Sequence, residues 1–187
     1  MPRKLTQLVW LVVFCSAIFG ISNLNAQDIP GRKAPSINMV DPGITTAIRG
    51  KAANIDLFFR ISQGFHVNSN KPRSEYLIPT TLRLTAPTDI VIGVINYPAG
   101  VEKSFSFAPN DKMSVYGSQF VINFAIRPLA SVMPGKYAVH GVLKYQACDD
   151  ATCYPPKQIP VNFLIKVTKS TTESQGRNPP QSPHVHR

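Results

Sequence analysis

Cys148 and Cys153 are the residues whose type and spacing could do covalent chemistry. They stand five positions apart in Lys144-Tyr145-Gln146-Ala147-Cys148-Asp149-Asp150-Ala151-Thr152-Cys153-Tyr154-Pro155-Pro156. Three chemistries are open to such a pair: a permanent staple, half of a metal clip, or a dithiol that opens and closes. A zinc site needs four ligands, and His66 and His140 have no spacing that ties them to the cysteines. His184 and His186 fall in a polar end segment and read as solvated. A staple closing a ring of this size stabilises a fold by only about 2 kcal/mol on the chain-entropy estimate, yet exported proteins carry such bridges routinely. Exchange would feel Asp149 and Asp150, because negative charge beside a thiol raises its pKa and withholds the thiolate. The reduced pair is therefore expected to attack slowly until a partner changes its surroundings. Neither paired carboxylates nor a Ser/His/Asp grouping points to acid–base or hydrolytic chemistry, and dithiol exchange requires no cofactor.

The chain must reverse between the two sulfurs. Five extended residues span about 16 Å, whereas a disulfide holds its Cα atoms roughly 4.4 to 6.8 Å apart. Asp149-Asp150-Ala151-Thr152 has the composition of a turn. Pro155 and Pro156 remove two backbone donors just beyond it, which suits the edge or end of a sheet.

The flanking segments carry the period of two that marks half-buried strands. Over 136–148, Tyr137, Val139, Gly141, Leu143, Tyr145 and Ala147 alternate with residues such as His140, Lys144 and Gln146. Over 158–167, Ile159, Val161, Phe163, Ile165 and Val167 share one face. Continuing the first alternation puts Cys148 on the polar face, within reach of a partner. Further strands are expected over 54–62, 65–67, 80–85, 90–97, 103–107 and 119–127. No segment has the period of an amphipathic helix, and 17 prolines and 11 glycines break the chain into short runs. Seven or eight short strands so punctuated predict an all-β fold, an immunoglobulin-like antiparallel sandwich.

At the N-terminus, Arg3 and Lys4 precede an apolar run over 8–21 that ends in Ser22-Asn23-Leu24-Asn25-Ala26. Fourteen apolar residues are too few to span a bilayer, which takes roughly 20, so 1–26 reads as a cleavable signal peptide that removes Cys15. The expected organisation is a signal over 1–26, an irregular lead-in over 27–50 with room for an edge strand, one domain over 51–167, and a disordered Ser/Thr/Pro/Asn-rich tail over 168–187. Without Arg3 and Lys4, 18 basic residues face 10 acidic ones, a net charge of +8. The basic residues are scattered singly, which argues for a solvated surface and against a nucleic-acid partner. The mature chain is expected outside the cytoplasm, where an isolated cysteine pair should meet.

Together with FHVNSNKPRSEYLIPTTL over 65–82, the cysteine stretch resembles the N-terminal periplasmic domain of the thiol:disulfide interchange protein DsbD. The resemblance covers about residues 34–169. It implies an immunoglobulin-like sandwich in which Cys148 and Cys153 are the redox pair, with Cys153 forming the mixed disulfide to a downstream substrate. Electrons would come from a membrane-embedded thiol reductase and pass to periplasmic thioredoxin-fold proteins, with no small-molecule substrate. The family also shields its cysteines with a cap loop carrying an aromatic residue. Lys112-Met113-Ser114-Val115-Tyr116-Gly117 resembles that loop, with Tyr116 as lid and Val115 beside it. Full-length members continue into a transmembrane domain and a thioredoxin-like domain. This sequence contains neither, so the implied reductant is a separate protein. A second reading stays open, that of a non-catalytic binding or scaffold module with a permanent hairpin bridge.

Overall fold

Alternation of apolar and polar residues builds the sheets that carry the cysteine turn. The structure is a computed structural model and describes residues 35–169. The expected signal peptide and all but the first two residues of the expected tail lie outside the described residues. Among the described residues twelve strands form in chain order: β1 (Ile37–Met39), β2 (Ile44–Ile48), β3 (Ala53–Ile61), β4 (His66–Asn68), β5 (Thr81–Thr85), β6 (Ile90–Ile92), β7 (Val101–Phe105), β8 (Ala108–Tyr116), β9 (Gln119–Pro128), β10 (Gly135–Tyr145), β11 (Ala147–Cys148) and β12 (Lys157–Thr168). No described helix is long and apolar enough to cross a membrane.

Two four-stranded sheets, ordered β1-β3-β9-β6 and β2-β12-β10-β5, make the immunoglobulin-like sandwich. In β3 the inward residues are Ile55, Leu57, Phe59 and Ile61, while Asn54, Asp56, Phe58 and Arg60 face out. In β12 they are Val161, Phe163, Ile165 and Val167, alternating with Asn162, Leu164 and Lys166. The two faces meet in one core, where Phe124 of β9 lies 6.1 Å from Phe163 of β12 between ring centroids. Each large side chain buried there contributes about 1.5–3 kcal/mol.

Several features differ from the sequence expectation. Residues 37–48, expected to be irregular with room for an edge strand, supply two edge strands. Ile37 and Ala47 are buried, so the domain begins well before residue 51. The β2–β12 pair is parallel in an otherwise antiparallel sandwich. The third difference is an additional sheet, ordered β11-β4-β8-β7, and it holds the cysteines. Its longest strand, β8, is polar over Pro109-Asn110-Asp111-Lys112, and these residues are exposed, so no alternation announces it. The strand expected over 90–97 shortens to β6 plus a single bridge from Asn96 to Asn123.

Candidate redox site

The strand expected over 136–148 breaks at Gln146, and that break decides where Cys148 points. Gln146 acts as a polar rivet: its side-chain carbonyl accepts from Asn68 Nδ2 at 3.0 Å and Ile78 N–H at 3.1 Å, and its amide donates to the Tyr154 carbonyl at 3.2 Å. The chain then leaves the sandwich and pairs with β4, with Ala147 opposite Val67 and Cys148 opposite His66. Alternation does not carry through the break. Cys148 is fully buried instead of lying on the polar face, and Cys153 is the partly exposed residue of the pair.

The turn closes as its residue types suggest. The Asp149 carboxylate accepts from Ala151 N–H and Thr152 N–H, both at 2.8 Å. Tyr154 hydroxyl donates to the same carboxylate at 2.6 Å, and Tyr154 N–H donates to the Ala147 carbonyl at 2.8 Å. The Cα atoms of Cys148 and Cys153 lie 3.9 Å apart, and the sulfurs are bonded. Asp149, expected to act on a thiol by its charge, holds the turn with that charge. Asp150 is exposed, its carboxylate 4.0 Å from Lys103 Nζ.

The third sheet has two faces, and the period of two sorts the expected lid residues between them. Val67, Tyr116 and Ala147 face the sandwich core. Met113 and Val115, on the alternate positions of β8, pack with Cys148 and Phe105 in a separate small cluster joined by Leu77 and Cys153. Val115, expected beside Tyr116 in the lid, packs in the same cluster as Cys148. Tyr116 is not its cover: its ring stacks on Phe120 at 4.7 Å, and its hydroxyl donates to Asn70 Oδ1 at 2.8 Å. Burial raises the pKa of that hydroxyl.

The aromatic rings at the cysteine cluster come from the tip of the β7–β8 hairpin. Phe105 is buried in the cysteine cluster, and Phe107 stacks on it at 5.6 Å with the rings 10° from parallel. Phe105 also stacks on His66 at 3.9 Å, again 10° from parallel. Three rings therefore run from the interior, at His66, to the surface, at Phe107. Between the two phenylalanines, Ser106 Oγ donates to the Asp150 carbonyl, tying the hairpin tip to the cysteine turn. Lys103 Nζ sits 5.2 Å from the Phe105 ring centroid. The hairpin's approach at its other end is close: a Cβ on Gly100 would collide with Ser114 Oγ and come within 2.8 Å of Ser69 Cβ, so only glycine fits there.

His66, which the sequence presents as one more strand residue, is the titratable group in this corner. Burial, with the Lys103 charge adding to it, lowers its pKa to about 4 against the opposing pull of Asp150 and Asp149. The imidazole is neutral at neutral pH. Its register opposite Cys148 could not be read locally, because the two residues are 82 positions apart, from 66 to 148. Phe105 and Phe107, by contrast, carry a visible signal: aromatics two positions apart around a serine. Among the described residues, no three or more His, Cys, Asp or Glu side chains are grouped to hold a metal ion.

No curated protein matches the chain. Among solved structures, the reduced DsbD N-terminal domain of Neisseria meningitidis is 24% identical, with 58% of this chain and 74% of that one covered and a TM-score of 0.37. The complex between the DsbD N-terminal and PilB N-terminal domains of the same organism matches at 19% identity, with 73% and 87% covered and a TM-score of 0.42. The family described as "Thiol:disulfide interchange protein DsbD, N-terminal" matches residues 37–164, which include the cysteine turn, His66 and the aromatic hairpin. The chain belongs to the family of DsbD N-terminal thiol:disulfide interchange domains.

Proposed function

We propose that this domain, exported by the signal over 1–26, relays electrons in the periplasm through Cys148 and Cys153. It takes them from a membrane-embedded thiol reductase and passes them to thioredoxin-fold proteins. Family membership supports thiol–disulfide exchange as the chemistry. The observation that carries the residue assignment is the asymmetry of the bridge: Cys148 is wholly buried, while Cys153 is partly exposed beside a hairpin tip that rests on the turn.

An incoming thiolate therefore has one sulfur to attack. It bonds to Cys153, and Cys148 leaves with the electron pair; the rate follows access and the leaving thiol's acidity. The Phe105/Phe107 tip acts as the cap. Closed, it keeps stray thiols and oxidants from the bridge, and displaced by a partner's surface it admits the correct one. Exchange of this kind requires neither metal nor cofactor.

Equilibration of the purified chain with glutathione and thioredoxin buffers, followed by counting free thiols, tests this reading. An exchanging bridge equilibrates above about −300 mV, and a permanent one lies below. A Cys148→Ser chain, with Cys153 free, should trap a thioredoxin-fold protein as a mixed disulfide. A bridge that stays closed throughout the buffer range would leave the scaffold reading standing in its place.

A further inference from the structure

In the closed form the buried ring nitrogen His66 Nε2 has no hydrogen-bond partner. Such orphans are rare in folded proteins, and each calls for a reason. The residue directly opposite His66 across the β4–β11 ladder is Cys148, and opposed residues of an antiparallel pair extend on the same face with Cβ atoms about 4.5–5.5 Å apart. Phe105 lies flat on the imidazole and packs in the same cluster as Cys148.

A disulfide sulfur offers a ring nitrogen no donor and carries no charge. When the bridge opens, Cys148 Sγ becomes a thiolate at a fully buried position, where a charge without a donor is costly. The other charged groups of this corner are engaged elsewhere. Lys103 of β7 lies over the Phe105 ring, near the Asp150 carboxylate, and the Asp149 carboxylate holds the turn.

We propose that His66 Nε2–H is the donor that receives Cys148 Sγ when the bridge opens, so that the nitrogen orphaned in the disulfide is satisfied in the dithiol. This deepens the relay reading and rests on it. In the step, a thiolate of a dithiol partner attacks Cys153 Sγ, the partner–Cys153 bond forms and the Cys148–Cys153 bond breaks. The electron pair goes to Cys148 Sγ, which accepts the Nε2–H hydrogen bond. The partner's second thiolate then attacks its own sulfur in the mixed disulfide and releases Cys153. Two electrons have passed to this chain, the partner is left as a disulfide, and the two thiolates take up protons from water. Because the buried imidazole stays neutral at neutral pH, it serves as a hydrogen-bond donor and does not surrender a full proton.

His66→Phe keeps a flat ring against Phe105 and removes the donor. In a Cys153→Ser background, thiolate absorbance against pH should place the Cys148 pKa about one unit higher when His66→Phe is added than when His66 is kept, a tenfold change in acidity of the size a charge-assisted bond supplies. Opening of the intact bridge by dithiothreitol should slow about tenfold in His66→Phe, and His66→Gln, which keeps an amide N–H, should recover to within about threefold. A readout that needs no variant at position 66 is the imidazole Nε2–H resonance of the otherwise native chain, which should move downfield between the disulfide and the dithiol at pH 9. An unshifted resonance, or an unchanged Cys148 pKa in folded His66→Phe, overturns the donor role while leaving the relay intact. A native bridge that dithiothreitol cannot open in the folded chain overturns both.

Discussion

The sandwich core and the cysteine corner are built on opposite principles within one domain. Between the two large sheets the inward positions are mostly aliphatic or phenylalanine, from Ile55, Leu57 and Phe59 to Val161, Phe163 and Ile165, and burial pushes the hydroxyls of the two core tyrosines, Tyr116 and Tyr145, toward staying protonated. The third sheet encloses a sulfur pair, an imidazole with an unpartnered nitrogen, and two stacked phenylalanines. The hairpin tip meets the cysteine turn through a serine hydroxyl and an exposed, distant ion pair. Exposed pairs of that kind contribute about 0–1 kcal/mol. On the proposed reading, stability resides in the first region and exchange in the second, so opening of the bridge is expected to leave the chain folded.

The sharpest way to break this division is to damage each side separately. Phe124→Ala in the core should lower unfolding free energy by about 3–5 kcal/mol in urea titrations, yet leave the thiol–disulfide equilibrium of the surviving folded chain unchanged. A shifted equilibrium would mean the regions are coupled.

Next in size is acid. In the unfolded chain His66 takes up a proton near pH 6.5, whereas in the folded chain it does so only near pH 4. Above pH 6.5 both states are neutral at this site. Between the two values the unfolded chain binds more protons, so stability falls as pH falls, by about 3 kcal/mol in all. The difference between native and His66→Phe unfolding free energies, followed from neutral pH down to the folded-state value, isolates this contribution; a flat difference would show that the corner hydrates its imidazole.

Removing the bridge should do less. Cys148→Ser combined with Cys153→Ser is expected to cost about 2 kcal/mol with the β-sheet signal in circular dichroism retained, and outright unfolding would assign the bridge a structural duty. Smallest in stability is Ser106→Ala, at under about 1 kcal/mol. Its informative effect is kinetic: untethering the hairpin tip should raise the rate of opening by a dithiol about threefold, measured by stopped-flow thiol release. No increase would argue that Phe105 and Phe107 do not gate Cys153.

Legibility in the sequence followed locality. The strand faces of β10 and β12 could be read because alternation needs only neighbouring residues, β3 and β9 could be placed by their branched and aromatic content, and the turn at Asp149-Asp150-Ala151-Thr152 because its side chains bond their own backbone. The cysteine pairing followed from proximity in the chain. β8 was hidden by its polar first half, and Tyr116 drew attention as an aromatic near the expected loop although its position in the alternation turns it to the core.

The amino-acid order alone therefore determined an all-β sandwich with a closed sulfur ring at its margin, since period, turn chemistry and short loops act over a few residues. Only the tertiary structure decided which sulfur is buried, which aromatics cover it, and that an imidazole from a distant strand stands opposite Cys148. Those outcomes depend on Gln146 bonding to Asn68, Ile78 and Tyr154 and redirecting the chain to another sheet. Partners brought together by folding leave no periodic trace along the chain.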